Sequence, residues 1–115
     1  MLDKKDRDNY KKVLEAVKKD GGNLYYASDR LRNDKEVVLE AVKQNGNALY
    51  CASYKLHDDK EVVSEAVKQD GMALEYALYK FRDNKEVVLI ALEQNIDAVK
   101  FASQRIKKII KVKIC

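Results

Sequence analysis

The stretch Asp34–Ser53, DKEVVLEAVKQNGNALYCAS, recurs 25 residues later at Asp59–Leu78 as DKEVVSEAVKQDGMALEYAL. A weaker version of the same pattern begins at Asn9 and another at Asn84, so four copies follow one another without insertions. A fixed period of this length is the sequence signature of a stacked repeat array. We therefore predict a single helical repeat domain over residues 1–115. Its units are predicted at about 9–33, 34–58, 59–83 and 84–108, followed by a tail at 109–115.

Each unit is predicted to contain two short helices. In the first helix, Val38, Ala41 and Val42 lie at the i, i+3 and i+4 spacing of one buried stripe. The second helix would carry Leu49 on one side and, about 200° around the helix, Cys51 and its aromatic counterparts. A helix that is apolar on two sides needs neighbours on two sides. The predicted fold is therefore all-α, a short α-solenoid of four 25-residue helix-turn-helix repeats.

The ends of the first helices carry residues that are typical of helix caps. The candidate N-caps are Asp8, Asn33, Asp58 and Asp83. Glu36 and its counterparts in the third and fourth units lie three residues after these positions and would complete a capping box. Gly46 and its equivalents in the first and third units are predicted to end the helix in the left-handed conformation that glycine tolerates best, and Asn95 would do so in the fourth unit.

The C-terminal stretch 105–115, RIKKIIKVKIC, includes the tail and contains no acidic residue. On a helix, Ile106, Ile109, Ile110 and Ile114 would share one side, which predicts a C-terminal helix that caps the open end of the stack. A helix that docks on a membrane surface or on a partner is the alternative role. The alternation Ile-Lys-Val-Lys-Ile also permits a strand or a frayed end.

Composition indicates a soluble globular chain. Apolar residues make up 46% of the sequence and charged residues 37%, and the net charge of +4 comes from 23 basic and 19 acidic residues that are interspersed. This balance exerts only a weak pull on polyanions. No apolar segment resembles a signal peptide or a membrane span, so we expect a cytoplasmic protein, with specialised export as an effector as the alternative. Cys51 and Cys115 are too few for a disulfide scaffold, and Cys51 is predicted to be a small buried apolar residue.

The sequence lacks the residue combinations that common enzymes require. His57 is the only histidine, and its column otherwise holds Arg32, Arg82 and Lys107, so it is predicted to be an exposed basic residue near a helix C-terminus. No nucleotide-binding glycine motif occurs, and one histidine with two distant cysteines does not make a zinc site. Carboxylates such as Glu36 are interspersed with lysines, which indicates a solvated face. We therefore predict no enzymatic activity, no catalytic residue, no metal and no cofactor.

One surface, on the second helices, is predicted to bind a partner. We call it the tyrosine–basic face, and it consists of Tyr25, Tyr50, Tyr54, Tyr79, Arg32, His57, Arg82 and Lys107. Tyrosine and arginine are enriched at protein-binding hot spots, and aromatic residues interleaved with basic ones also suit single-stranded nucleic acid. The structural alternative is that the tyrosines lie over grooves between repeats with only their hydroxyls wet, while the basic groups serve helix C-termini.

Over about residues 8–108, the unit DKEVVLEAVKQNGNALYCAS resembles the repeat of a bacterial and protist family catalogued as domain of unknown function 4116, which occurs in tandem arrays. The resemblance implies an all-helical array and supplies no activity, substrate or functional residue. Departures from the pattern occur at the ends of the array. They are Lys11 and Lys12 in the first unit and Ile90, Glu93 and Ile96 in the last.

These observations predict a non-enzymatic protein-interaction or scaffold module, with an unidentified protein as its partner and no membrane span. A structural spacer array within a larger protein is one alternative. A weak nucleic-acid-binding module that uses the tyrosine–basic face is the other. Nucleic acid is the less favoured partner because the basic residues are interspersed with acidic ones.

Overall fold

The computed structural model describes the backbone of residues 2–114 and the side chains of residues 2–110. Within that range every regular element is a helix, which confirms the all-α prediction. Each unit begins with a ten-residue α-helix, namely α1 (Tyr10–Lys19), α3 (Lys35–Gln44), α4 (Lys60–Gln69) and α6 (Lys85–Gln94). A six-residue 3₁₀-helix follows each of them, at Gly21–Tyr26, Gly46–Cys51, Gly71–Tyr76 and Ile96–Phe101. The third segments are α2 (Asp29–Arg32), a 3₁₀-helix at Tyr54–Asp58, α5 (Tyr79–Arg82) and α7 (Gln104–Ile114), and a short 3₁₀-helix at Lys4–Asp6 precedes the first unit.

The prediction of a single second helix in each unit is wrong. Extended backbone at Ala52 (φ −72°, ψ 154°) separates the 3₁₀-helix from the third segment, and the other units break at the equivalent alanine. The break has a long-range cause, because the Ser53 N–H donates to the Arg32 carbonyl of the preceding unit at 2.8 Å instead of to its own helix. Ser103 and Arg82 form the same bond at 2.8 Å. Helical-wheel angles therefore do not relate the 3₁₀-helix to the segment that follows it.

The N-caps of the long helices lie one residue later than predicted. They are Asn9, Asp34, Asp59 and Asn84, and each side chain accepts a hydrogen bond from the N–H three residues further on. Glu36 consequently occupies the second position of α3 and not the third, so the predicted capping box is wrong. The two candidates stand side by side in every unit, and the carboxylates of Asp8 and Asp83 are bonded elsewhere.

The glycines serve close packing, and the prediction of a left-handed helix end is wrong. Among the described residues, neither glycines nor other residues have positive φ, and Asn95 has φ −155°. A Cβ added to Gly46 would overlap the carbonyl oxygen of Ala66 in the next long helix. A Cβ on Gly21 would overlap the carbonyl oxygen of Ala41 in the same way, and one on Gly71 would overlap that of Ala91. Each glycine thus lets the turn of one unit approach the backbone of the next unit.

The position equivalent to these glycines is Ile96 in the fourth unit, and its side chain is 55% exposed. At the opposite end of the stack, the Ala16 carbonyl is the counterpart of those that the glycines approach. The Asn23 side chain donates a hydrogen bond to it at 3.0 Å. The other units carry buried alanines at the position of Asn23. The two ends of the stack therefore differ from its interior at single positions.

The core runs continuously through the stack. The long helices pack in series, α1 against α3, α3 against α4 and α4 against α6, and the 3₁₀-helices pack beside one another in the same order. Val38, Ala41 and Val42 are fully buried, which confirms the predicted stripe. The chain measures 52 × 22 × 17 Å along its principal axes. Within residues 2–114, no helix is both long and apolar enough to cross a membrane.

The tail is helical up to Ile114, so the strand alternative is wrong. The other third segments have four or five residues, whereas α7 is a single helix of 11 residues. It buries Ile106 and Ile110 in the main hydrophobic core, with Ile109 partly buried beside them. The side chain of Ile114 and the whole of Cys115 lie outside the described residues.

Replacing Gly46 with alanine is expected to destabilise the protein by about 1–3 kcal/mol, the usual cost of overpacking. The new Cβ would overlap the Ala66 carbonyl oxygen and force two units apart. Urea unfolding followed by circular dichroism gives the change in free energy.

The matched control is Gly22→Ala, one residue after Gly21 in the first unit. Its Cβ would meet only the Asp20 side chain, at 3.2 Å, and φ lies in the ordinary range. We expect a change below about 1 kcal/mol, since alanine also restricts the unfolded chain. If Gly46→Ala and Gly22→Ala unfolded at the same urea concentration, glycine packing would not determine the spacing of the units.

Candidate partner-binding face

The tyrosines of the tyrosine–basic face are strongly exposed. Their relative exposures range from 60% to 74%, and the residues are Tyr25, Tyr50, Tyr54 and Tyr79. The alternative in which only their hydroxyls are wet is therefore wrong. Partial burial is instead found at two nearby tyrosines, Tyr26 and Tyr76, which pack against the core.

Two of the exposed tyrosines are supported by the partly buried ones. The Tyr25 ring meets the Tyr26 ring edge to face, with centroids 5.2 Å apart and an interplanar angle of 88°. The rings of Tyr50 and Tyr76 are also 5.2 Å apart, and these two residues belong to successive units. Such pairs stabilise ring positions beyond the effect of area burial alone. The Tyr25 ring is thus supported within its own unit, and the Tyr50 ring is supported by the following unit.

His57 is half-buried, so the prediction that it is exposed is wrong. Its Nδ1 lies 2.7 Å from the carbonyl oxygen of Tyr76, and its Nε2 lies 3.2 Å from that of Ala52. Both carbonyls belong to the C-terminal ends of 3₁₀-helices, where a donor or a cation is favourable. The Tyr54 ring lies 5.9 Å from the imidazole between centroids. His57 therefore joins two units and lies next to an exposed tyrosine.

The remaining basic residues of the face have different surroundings. Arg32 donates to Asp29 at 2.7 Å, and the Arg82 guanidinium carbon lies 5.7 Å from the centre of the Tyr79 ring. Guanidinium groups stack favourably on aromatic rings. Lys107 is half-buried on α7, and only its register, 25 residues after Arg82, connects it with the face. The structure therefore groups Tyr54 with His57 and Tyr79 with Arg82.

Arg7 is a member of the face that sequence reasoning missed. It lies 25 residues before Arg32, in the same column, but ahead of the first recognised unit. Its guanidinium carbon lies 6.0 Å from the centre of the Tyr26 ring. Subtracting one period from Arg32 would have found it.

Two shallow grooves connect these residues along the first half of the face. The larger has a volume of about 640 Å³ and is lined by Arg7, Tyr25, Tyr26, Ala27, Ser28, Asp29 and Arg32. The second has a volume of about 240 Å³ and is lined by Asp29, Arg32, Tyr50, Cys51, Ala52 and Ser53. Because Asp29 and Arg32 line both grooves, the two grooves are neighbours on the surface of the first and second units. Tyr25 lines the first groove and Tyr50 lines the second.

Cys51 lies in the smaller groove and is half-buried, not fully buried as predicted. Burial raises the pKa of its thiol, and the nearby Arg32 charge opposes this only in part. The thiol therefore remains protonated near neutral pH and is a poor nucleophile. Among residues 2–110, no three His, Cys, Asp or Glu side chains are grouped closely enough to hold a metal ion.

A second basic column, next to the face, forms ion pairs within the protein. Its pairs are Arg30 with Asp8, Lys80 with Asp58 and Arg105 with Asp83. Ser103 Oγ also donates to Asp83 at 2.6 Å. These aspartates were the predicted N-caps, and they instead connect the end of one segment to the third segment of the following unit. The ion pairs link neighbouring segments at the surface of the stack.

A family model described as Domain of unknown function (DUF4116) matches the chain twice in tandem, at residues 9–57 and 59–107. Each match covers two of the 25-residue units, so the family model treats a pair of units as one repeat. No curated protein and no solved structure matches the chain.

The aspartates that connect units predict a loss of stability in acid. Hydrogen bonding from Ser103, followed by that from Arg105, lowers the pKa of Asp83 in the folded state. A lowered folded pKa means that the stabilisation is fully present above the unfolded value of about 3.9 and is lost as the pH falls through the folded value. We expect Asp83→Asn to destabilise the protein at pH 7, and the difference from wild type to shrink as the pH falls below about 4. Urea midpoints measured across this range test the expectation.

Asp29→Asn is the control for this prediction. Asp29 pairs with Arg32 three residues away in the same short helix, and its carboxylate is almost fully exposed. An exposed pair of this kind contributes little to stability. If Asp29→Asn and Asp83→Asn changed the midpoints equally at every pH, the connecting position of Asp83 would not matter.

Proposed function

The chain belongs to the DUF4116 family, and from that premise we propose that it is a non-enzymatic scaffold that binds another protein along the tyrosine–basic face. Family membership supplies no activity, so the proposal depends on the surface. The observation that carries it is the strong exposure of four tyrosines, of which two line the neighbouring grooves and two lie beside His57 and Arg82. Tyrosine provides a large contact area at a low entropic cost and is enriched where proteins bind one another.

The variation between units supports the same proposal. Tyr50 corresponds to Glu75 and Lys100 in the later units, whereas the buried residues Val38 and Ala52 are repeated unchanged in all four units. The fold therefore does not require an aromatic ring at this position. Exposed rings that the core does not need, placed beside surface grooves, are typical of a binding surface.

Binding is favoured over catalysis by the state of the reactive side chains. His57 has both ring nitrogens close to backbone carbonyls, and the Cys51 thiol has a raised pKa. These contacts leave neither group arranged as a base or a nucleophile. The absence of enzymatic activity and the cytoplasmic location remain predictions.

Replacing Tyr54, Tyr79 and Arg82 together with alanine should weaken partner binding by at least about tenfold, since hot-spot truncations commonly cost 2 kcal/mol or more. None of the three side chains belongs to the hydrophobic core, so the fold should persist. Affinity purification from the lysate of the source organism, with each captured protein quantified, measures the effect. A circular dichroism melt of the same sample confirms folding.

The control variant replaces Gln44, Lys68 and Gln69 with alanine on the exposed side of the long helices. It removes one positive charge, as the first variant does. Proteins captured by the wild type and by this control, but lost with the first variant, would support the tyrosine–basic face. Identical capture by all three proteins would contradict it.

A further inference from the structure

Building on the proposed function, we infer that the partner is an extended acidic segment that lies along the stack and presents carboxylates at the spacing of the units. The segment follows the tyrosine–basic face and its extension at Arg7. Its carboxylates meet the basic column at Arg7 and Arg82, because Arg32 is paired with Asp29 and the ring nitrogens of His57 lie against backbone carbonyls. The tyrosines pack against the residues between the carboxylates.

The two basic columns differ in how their charges are paired, and this difference supports an acidic partner. In the neighbouring column, Arg30, Lys80 and Arg105 are all neutralised by aspartates of the protein. In the column of the face, Arg7 and Arg82 have no carboxylate partner within residues 2–110, and each guanidinium lies near an aromatic ring. The protein thus neutralises three of the four members of the neighbouring column, all except Lys55, and leaves Arg7 and Arg82 of the other column without a carboxylate partner in the described part of the chain.

The incomplete hydrogen bonding of Arg7 and Arg82 also favours a carboxylate partner. The Nε atoms of Arg7 and Arg82 are buried and have no hydrogen-bond partner in the described part of the chain. A buried donor without a partner is unfavourable and usually indicates a missing acceptor. Carboxylates match the planar donor arrangement of a guanidinium better than other common protein acceptors do. The groove between Arg7 and Arg32, at about 640 Å³, has room for such a side chain.

The distance between units matches an extended segment in which every third side chain points the same way. Packed helices lie about 8–10 Å apart, so successive members of the basic column are separated by about that distance. A polyproline II helix has three residues per turn and rises about 9 Å per turn. Every third side chain of such a segment would therefore face successive units of the stack. Proline between the acidic residues would also lower the entropy lost on binding and would pack against tyrosine rings.

Nucleic acid fits this surface less well than a spaced acidic peptide. Asp29 lines both grooves, and the exposed Glu75 takes the place of Tyr50 in the third unit. A continuous phosphate backbone would pass close to both carboxylates and be repelled by them. Separate carboxylates with neutral residues between them avoid these positions.

Two synthetic peptides of identical composition test the inference. One contains five copies of Glu-Pro-Ala, and the other places the five glutamates in one block. Fluorescence anisotropy at low salt should show the spaced peptide binding at least about tenfold more tightly, as expected for two or more additional ion pairs. Equal affinities would overturn the inference, and so would an oligothymidylate of equal length that binds more tightly than the spaced peptide.

Variants of the column provide the second arm. Arg7→Gln combined with Arg82→Gln should weaken binding of the spaced peptide by about tenfold. Lys43→Gln combined with Lys68→Gln removes the same charge from the long helices and should leave affinity unchanged. Equal losses in both variants would overturn the inference. If both peptides failed while the Tyr54, Tyr79 and Arg82 variant still lost its captured proteins, the proposed function would stand and the acidic period alone would be wrong.

Discussion

The contact between a glycine and the backbone of the next long helix is the constraint on which the stack depends. Gly46 has no Cβ, so its turn can lie against the Ala66 carbonyl, and the same arrangement recurs at Gly21 and Gly71. This close approach allows small residues such as Ala48 and Ala73 to be buried between units. The backbone bond from Ser53 to Arg32 holds the other side of the interface. Units joined at two places behave as one rigid body.

Residues at equivalent positions of the units form rows along the surface of the stack. Because the units repeat the same geometry, residues 25 positions apart lie next to one another along the stack. One such column, at Arg30, Lys80 and Arg105, helps to connect the units through aspartates. The column beside it lies among exposed tyrosines. Two columns of similar charge thus have separate tasks, one within the protein and one at its surface.

Much of the fold can be predicted from the sequence, because hydrophobic periodicity reports burial over many residues. The unit length, the buried stripe of α3 and the helical tail follow from it. The site was predicted less completely. Tyr25 and Tyr26 are adjacent and identical in type, and only the structure shows which is exposed. The break at Ala52 could not be predicted because the bond that stabilises it comes from another unit. The glycine contacts are equally long-range, and a local interpretation assigned them to a turn conformation.

The isoleucine at position 96 has a consequence for how such an array can lengthen during evolution. Repeat proteins grow when a segment of the gene is duplicated, and each new copy must pack on both sides. A duplicate of the second or third unit would inherit glycine and could pack in the interior. A duplicate of the fourth unit would carry Ile96 to a place where the following helix needs bare backbone. Duplication of the second or third unit is therefore compatible with the packing, and a single codon makes duplication of the fourth unit incompatible with it.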